Sequence, residues 1–263
     1  MRRLTSLLAL SAVLLAVLLV VQGGPATAQD KKDDVAKKAK KADKAKKKAP
    51  AKKIFTDAKL EAVIKAILKK KQAKTDPIME ADLKTIFFLE APGKSITNLA
   101  GLEKCPNLAL INLSNNGITD LKPLAGLKNV QSLDLSKNKI ADVAPLAKLE
   151  KLQYLQLEHN QVVKLDGLAG LKKLSAVYLS NNKVVSVAPL KGLEKLSSLY
   201  LDNNKVVDLA PLKGLKWVAN LALRNNLVKD VTPLGNMTEL RYTFLEGNKV
   251  TDLGPLVAMA QKD

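Results

Sequence analysis

The sequence predicts an α/β repeat solenoid: an arc with a parallel β-sheet along its concave side, short 3-10 or irregular turns on its convex side, and an α-helical cap at its N-terminal end. Three observations lead there. Asn116, Asn138, Asn160, Asn182, Asn204, Asn226 and Asn248 recur every 22 residues without an insertion, a fixed period that means stacked like units. Before each Asn, apolar positions alternate with polar ones, and after it a Pro usually follows, as in a short strand with a non-helical return. Ahead of the repeats, Leu60, Val63, Ile64, Ile67 and Leu68 fall at the spacing of one amphipathic helical face.

Arg2 and Arg3 precede an apolar run from Leu4 to Val21, which Gly23, Gly24 and Pro25 break before Ala26-Thr27-Ala28. That order reads as an export signal over residues 1–28, cleaved after Ala28. A run of about 18 apolar residues can also just span a bilayer, so retention as a membrane anchor is the alternative. Residues 29–53 form a Lys/Ala-rich tether, with 12 Lys and 4 Asp between Asp30 and Lys53. Such a segment cannot bury a core and stays solvated. The chain carries 43 Lys+Arg against 25 Asp+Glu, a formal charge of +18, of which the tract supplies +8. The tract is either a soluble spacer or an anchor to an anionic envelope surface.

Residues 54–104 hold the helical cap and a degenerate first unit. Thr56 is the expected N-cap, Asp57 suits the first turn, and Lys70, Lys71 and Lys74 close the helix before Asp76-Pro77. A second short helix is expected from Met79 to about Lys84. Leu89, Ile96, Leu99 and Leu102 then keep the register of the repeat, while Lys94 replaces the Asn, as in a capping turn. Seven units fill residues 105–258, and 259–263 remain as a tail. In the second unit Leu133 and Leu135 turn inward, and Ser132, Asp134 and Ser136 turn outward. The buried Asn, with a donor and an acceptor on a short side chain, can satisfy backbone groups of its own and the neighbouring coil. Pro123, Pro145, Pro189, Pro211, Pro233 and Pro255 keep the return out of an α-helix, with Gly167 at that position in the third unit. No unit buries its own apolar face, so stability must come from stacking.

These units resemble leucine-rich repeats of the 22-residue class found in bacterial internalins and in the leucine-rich regulatory subunit of protein phosphatase 1. Ile118-Thr119-Asp120-Leu121-Lys122-Pro123-Leu124 carries the convex-side likeness. Phe55-Thr56-Asp57-Ala58-Lys59-Leu60-Glu61-Ala62-Val63-Ile64, Glu80-Ala81-Asp82-Leu83 and Ile96-Thr97-Asn98-Leu99-Ala100-Gly101-Leu102 are similar to the internalin helical cap. The resemblance covers about residues 54–258 and implies a leucine-rich repeat arc whose outward strand positions line a concave binding face. Nothing after Pro255 resembles an immunoglobulin-like module or a sortase motif, so host-cell adhesion is not expected from the likeness.

On that rule the concave face holds Tyr154, Tyr178, Tyr200, Tyr242 and Phe244, together with Asp134, Gln156, Glu158, Asp202, Arg224 and Glu246. All four Tyr of the chain fall there. Tyr offers rigid apolar area with a polar tip and is enriched at protein interfaces, although aromatic residues also simply suit exposed strands. Catalysis is not expected, because one His and one Cys leave few parts, and no phosphate loop, metal-ligand spacing or nucleophile elbow occurs. Cys105 occupies a buried repeat position, and Trp217 is expected to shield the sixth coil. Thr243 replaces an inward Leu where the array ends, and Asp120, Asp142, Asp208, Asp230 and Asp252 read as turn residues rather than calcium ligands. The expectation is an exported monomer, periplasmic, envelope-bound or secreted, that needs no cofactor or metal and binds a protein or peptide. It has no specific nucleic acid partner, and it meets a membrane only if the leader is retained. Polyanion association through the Lys tract, and regulation of an enzyme such as a phosphatase, are the alternatives.

Overall fold

The computed structural model describes residues 53–260. The leader and all of the tether except Lys53 lie outside the described residues. Eight strands, β1 (Phe88–Glu90), β2 (Leu110–Asn112), β3 (Ser132–Asp134), β4 (Tyr154–Gln156), β5 (Ala176–Tyr178), β6 (Ser198–Tyr200), β7 (Asn220–Ala222) and β8 (Tyr242–Phe244), form one parallel sheet in chain order. Pairing advances by one repeat at each step, so Leu133 lies against Leu155, and Leu155 against Val177. The return segments are 3-10 helices, such as Lys122–Leu124 and Ala188–Leu190, most of them with Pro in the first turn. In the third unit a side chain at Gly167 would collide with the Val143 carbonyl of the preceding coil, which explains why Gly replaces Pro there.

Three-residue strands cannot hold the stack alone. The Asn ladder supplies the rest. The Val162 N–H donates to Asn182 Oδ1 at 2.9 Å, while Asn182 Nδ2 donates to the Leu157 carbonyl at 2.8 Å and the Leu179 carbonyl at 2.9 Å. One amide thus joins two consecutive coils, and Asn138, Asn160, Asn204 and Asn226 repeat the same bonds. At the ends, Asn116 receives the Ile96 and Lys94 N–H groups, and Asn248 receives that of Val228. Between these amides, Leu, Ile and Val side chains form one buried core from Phe55 to Met237. Each fully buried aliphatic residue there stabilises by about 1.5–3 kcal/mol.

At the N-terminal end, α1 (Ala58–Lys70) lays Leu60, Ile64 and Leu68 on the core. Its N-cap is Asp57, not Thr56. The Asp57 carboxylate accepts from the Lys59 and Leu60 N–H groups with one oxygen, and from the Thr97 and Asn98 N–H groups with the other. A residue that both caps the helix and ties it to the first coil needs two acceptor oxygens on a short stem, which Thr lacks. The second helix, α2 (Glu80–Leu83), is shorter than expected. At the far end α3 (Gly254–Ala260) runs across the boundary between repeats and tail. Trp217 is 63% exposed and shields no coil, because it aligns with the solvent corner of Lys151 and Lys173 while Val218 takes the buried place. Thr243 is half-buried, in keeping with an array that ends at β8. The Asp positions close small turns, as when Asp142 Oδ1 accepts the Ala144 N–H at 2.8 Å.

Two outcomes follow from these contacts. Asn182→Ala orphans the Val162 N–H in the interior and removes one of the two bonds at the Leu157 and Leu179 carbonyls, which keep Asn160 and Asn204, and should cost about 1–3 kcal/mol in urea unfolding. Asn248→Ala, half-buried at the edge, should cost less. Burial raises the Asp57 pKa, but its four backbone donors outweigh that and hold it below 3.8. The ionised form therefore stabilises the cap above that value, and the contribution is lost as pH falls through the depressed one. Asp57→Asn should lower stability at neutral pH by about 1 kcal/mol, with the difference from the parent closing in acid. Hydrogen exchange of the α1 amides reads it directly.

Candidate functional site

The outward positions of the sheet form three columns, each advancing by one repeat per strand. The column opening the strands reads Phe88, Leu110, Ser132, Tyr154, Ala176, Ser198, Asn220 and Tyr242. The column closing them reads Glu90, Asn112, Asp134, Gln156, Tyr178, Tyr200, Ala222 and Phe244. Just beyond lie Ser114, Ser136, Glu158, Ser180, Asp202, Arg224 and Glu246. Neighbouring strands are about 4.8 Å apart, so equal positions touch.

Two clusters result. Tyr178 and Tyr200 stack with centroids 4.8 Å apart and planes at 10°, and Tyr154 leans on Tyr178 at 5.2 Å and 51°. Burial, then the neighbouring Tyr178 and the carboxylates of Asp134 and Glu158, push the Tyr154 hydroxyl up to about 12. Burial, helped by the Asp134 charge, also raises Glu158, against the pull of His159 and Lys137. Asp134 accepts the backbone and hydroxyl hydrogens of Ser136 at 2.9 and 2.7 Å. Among the described residues neither Asp134 nor Glu158 forms a salt bridge, and Lys137 and His159 act on Glu158 only from beyond ion-pair distance.

The second cluster is self-contained. The Arg224 guanidinium lies 3.8 Å from the Phe244 ring centroid, pairs with Asp202 at 3.3 Å and pairs with Glu246 at 3.1 Å. Gln156 stands beside Tyr178 in the sheet register. Tyr242 joins neither cluster and is 61% exposed on the last strand. The strip also begins one strand earlier than the repeat count suggested. Phe88, 64% exposed, and Glu90 extend it, and Leu89 lying one period before Ile111 was the signal for them. Glu90 also edges a hollow of about 470 Å³ whose apolar floor is Ala62, Val63, Ala66 and Ile67 of α1.

The spacing places His159 in a surface column with Lys137 and Asn181 of the adjacent units, but the ladder that this column forms was not read from it. Asn115, Lys137, His159, Asn181, Asn203 and Asn225 all hold φ between 53° and 61°, and Gly247 follows at 73°. Asn tolerates this left-handed conformation better than most residues. Here its side chains also form a surface ladder, Asn225 to Asn203 at 2.7 Å and Asn203 to Asn181 at 2.9 Å, ending on His159 Nε2 at 3.3 Å. The repeated Asn-Asn pairs carried that signal. Cys105 is buried and its thiol is pushed up to about 12, first by burial and then by Glu103, which leaves it a packing residue.

A family model described as Leucine Rich repeats (2 copies) matches residues 128–170 and 172–214. Internalin C2 of Listeria monocytogenes strain 4b F2365 is 31% identical, with 80% of this chain and 93% of that chain covered and a TM-score of 0.73. Internalin F of the same strain is 32% identical over 81% of this chain and 69% of that one, with a TM-score of 0.64. A plant peptide hormone receptor in complex with RGF2 shares the fold at 21% identity, 56% and 26% coverage and a TM-score of 0.52. None of the curated proteins matches the chain. Among the described residues no helix is long and apolar enough to cross a membrane.

Glu158 yields a check on the strip's electrostatics. A carboxyl raised in the fold disfavours the folded state once it ionises, above 4.5, and stops doing so in acid. Glu158→Gln should raise the melting midpoint at neutral pH by about 1–2 °C, discounted for its partial exposure, and the gain should vanish below 4.5.

Proposed function

The chain belongs to the internalin-like leucine-rich repeat proteins, and from that premise we propose that it is an exported, non-catalytic binding protein that takes a protein or peptide on its concave face. The observation that carries this reading is the cluster of Tyr154 against the stacked pair Tyr178 and Tyr200 on the outward side of the sheet. Three rings that touch each other and remain partly exposed do not serve the core, which lies on the other side of the same strands. Stacked rings lose few side-chain degrees of freedom on binding and offer broad apolar area, the properties of interface anchors. The plant hormone receptor in complex with RGF2 shows that this fold can present a surface to another molecule. Export rests on the leader-like order of residues 1–28, and a role of the Lys tract on anionic surfaces is a separable second activity.

The test is capture from the cell's own envelope extract by the chain from Gln29 onward, with and without residues 30–53, washed at low and high salt. A defined protein should survive tract deletion and high salt. The double change Tyr178→Ser and Tyr200→Ser should reduce its capture about tenfold or more. Undiminished capture by the double variant would overturn the concave face as the site. Capture that disappears with the tract or with salt would assign binding to the Lys-rich segment instead.

A further inference from the structure

The repeat period places two versions of one arrangement on the strip, 44 residues apart. In the first, Arg224 stands between Asp202 and Glu246 and rests on Phe244. Two units earlier, Ser180 stands between Glu158 and Asp202, and Tyr200 holds the place of Phe244. The sheet register makes this equivalence structural, since Tyr178 lies beside Tyr200 as Ala222 lies beside Phe244. The platform is larger in the earlier version, because Tyr178 backs Tyr200 where only Ala222 backs Phe244. The cation is what differs. Ser180 is short and neutral, and among the described residues Glu158 and the nearby Asp134 form no salt bridge, with Lys137 and His159 reaching Glu158 only from beyond ion-pair distance.

The wider charge pattern points the same way. The three columns from β1 to β8 contain Glu90, Asp134, Glu158, Asp202 and Glu246 but no Lys, and their one Arg is consumed by two of those acids. This occurs in a chain of formal charge +18. A cation over an aromatic face is attracted by the ring quadrupole, more strongly when partly desolvated, and a carboxylate at the ring edge adds to it.

We propose that a Lys or Arg side chain of the partner takes, on the Tyr178–Tyr200 platform beside Glu158, the place that Arg224 takes on Phe244, so that the concave face recognises a basic protein segment. This rests on the concave face being the binding face, and it names the chemistry that face selects. Tyr154 closes the near side of the platform, and Gln156 offers a neutral amide beside Tyr178 for the segment's backbone.

Fluorescence anisotropy with a labelled peptide of four Arg-Gly pairs, and with its Glu-Gly counterpart, tests the proposal on the chain from Gln29 onward at low salt. The decisive variant is Ser180→Arg, which supplies the chain's own guanidinium at the platform. It should weaken the Arg peptide about fivefold, as should Glu158→Gln. Binding of the Glu peptide should not respond to these changes. Equal affinity of the Arg peptide for parent, Ser180→Arg and Glu158→Gln overturns the proposal. Glu158→Gln is isosteric, so a folding failure of Ser180→Arg, seen in its melting curve, does not remove the test. If Tyr178→Ser with Tyr200→Ser weakens capture of the native partner while Ser180→Arg does not, the concave face stands as the site and the basic segment falls. If neither change matters, both fall.

Discussion

A side-chain amide buried between two coils is the interaction on which the rest depends. Each ladder Asn accepts an N–H from the preceding coil and donates to carbonyls of both coils, so it replaces backbone pairing that a three-residue strand cannot extend. An unmade bond of this kind in the interior costs about 1–3 kcal/mol for each orphaned group. Adjacent coils are therefore held at one offset, and the 22-residue period brings each Asn to the same place on its neighbour.

The surface inherits that precision. Because coils cannot slip, a residue and its counterpart one repeat later are fixed at the spacing of paired strands, about 4.8 Å. That is also a favourable distance for stacked rings, and Tyr178 and Tyr200 lie 4.8 Å apart with nearly parallel planes. The same offset lets Arg224 reach one carboxylate on each neighbouring coil. The strip thus acquires clusters from a vertical rule, in which residues far apart in sequence meet because they share a column. Its preorganisation comes from the ladder behind it, and the cap extends it, since Asp57 accepts two backbone bonds from α1 and two from the first coil.

This division explains what could be read from the sequence. Period, strand positions, inward Leu and ladder Asn all repeat, so seven copies average out local ambiguity, and Lys94 in place of Asn marked the degenerate unit. Features that occur once were less legible. Thr56 and Asp57 are both good capping residues, and only the position of Thr97 and Asn98 decides for the one with two oxygens. Trp217 looked like a shield by size, yet its column is a solvent corner. The Tyr positions were readable as a surface but not as groups. That Tyr154, Tyr178 and Tyr200 meet while Tyr242 stands alone depends on side-chain directions that spacing does not carry.

Charge is segregated by the same columns. Lys occupies corners such as Lys137, Lys151, Lys173 and Lys205, all exposed, while the strip excludes it. Long-range and short-range electrostatics therefore oppose each other for a basic partner. Beyond the Debye length, about 8 Å at physiological ionic strength, the molecule is screened, and inside it a cation approaching the sheet meets carboxylates and ring faces, with the Lys137 ammonium at the strip's edge near Glu158. Low salt strengthens the local attraction but also the repulsion from the convex side and the +8 tract. Net charge repels cations at a distance, and the strip rewards them only at contact. Selectivity on such a surface resides in the fit of one side chain on one platform, because the net charge gives no basic partner a long-range advantage.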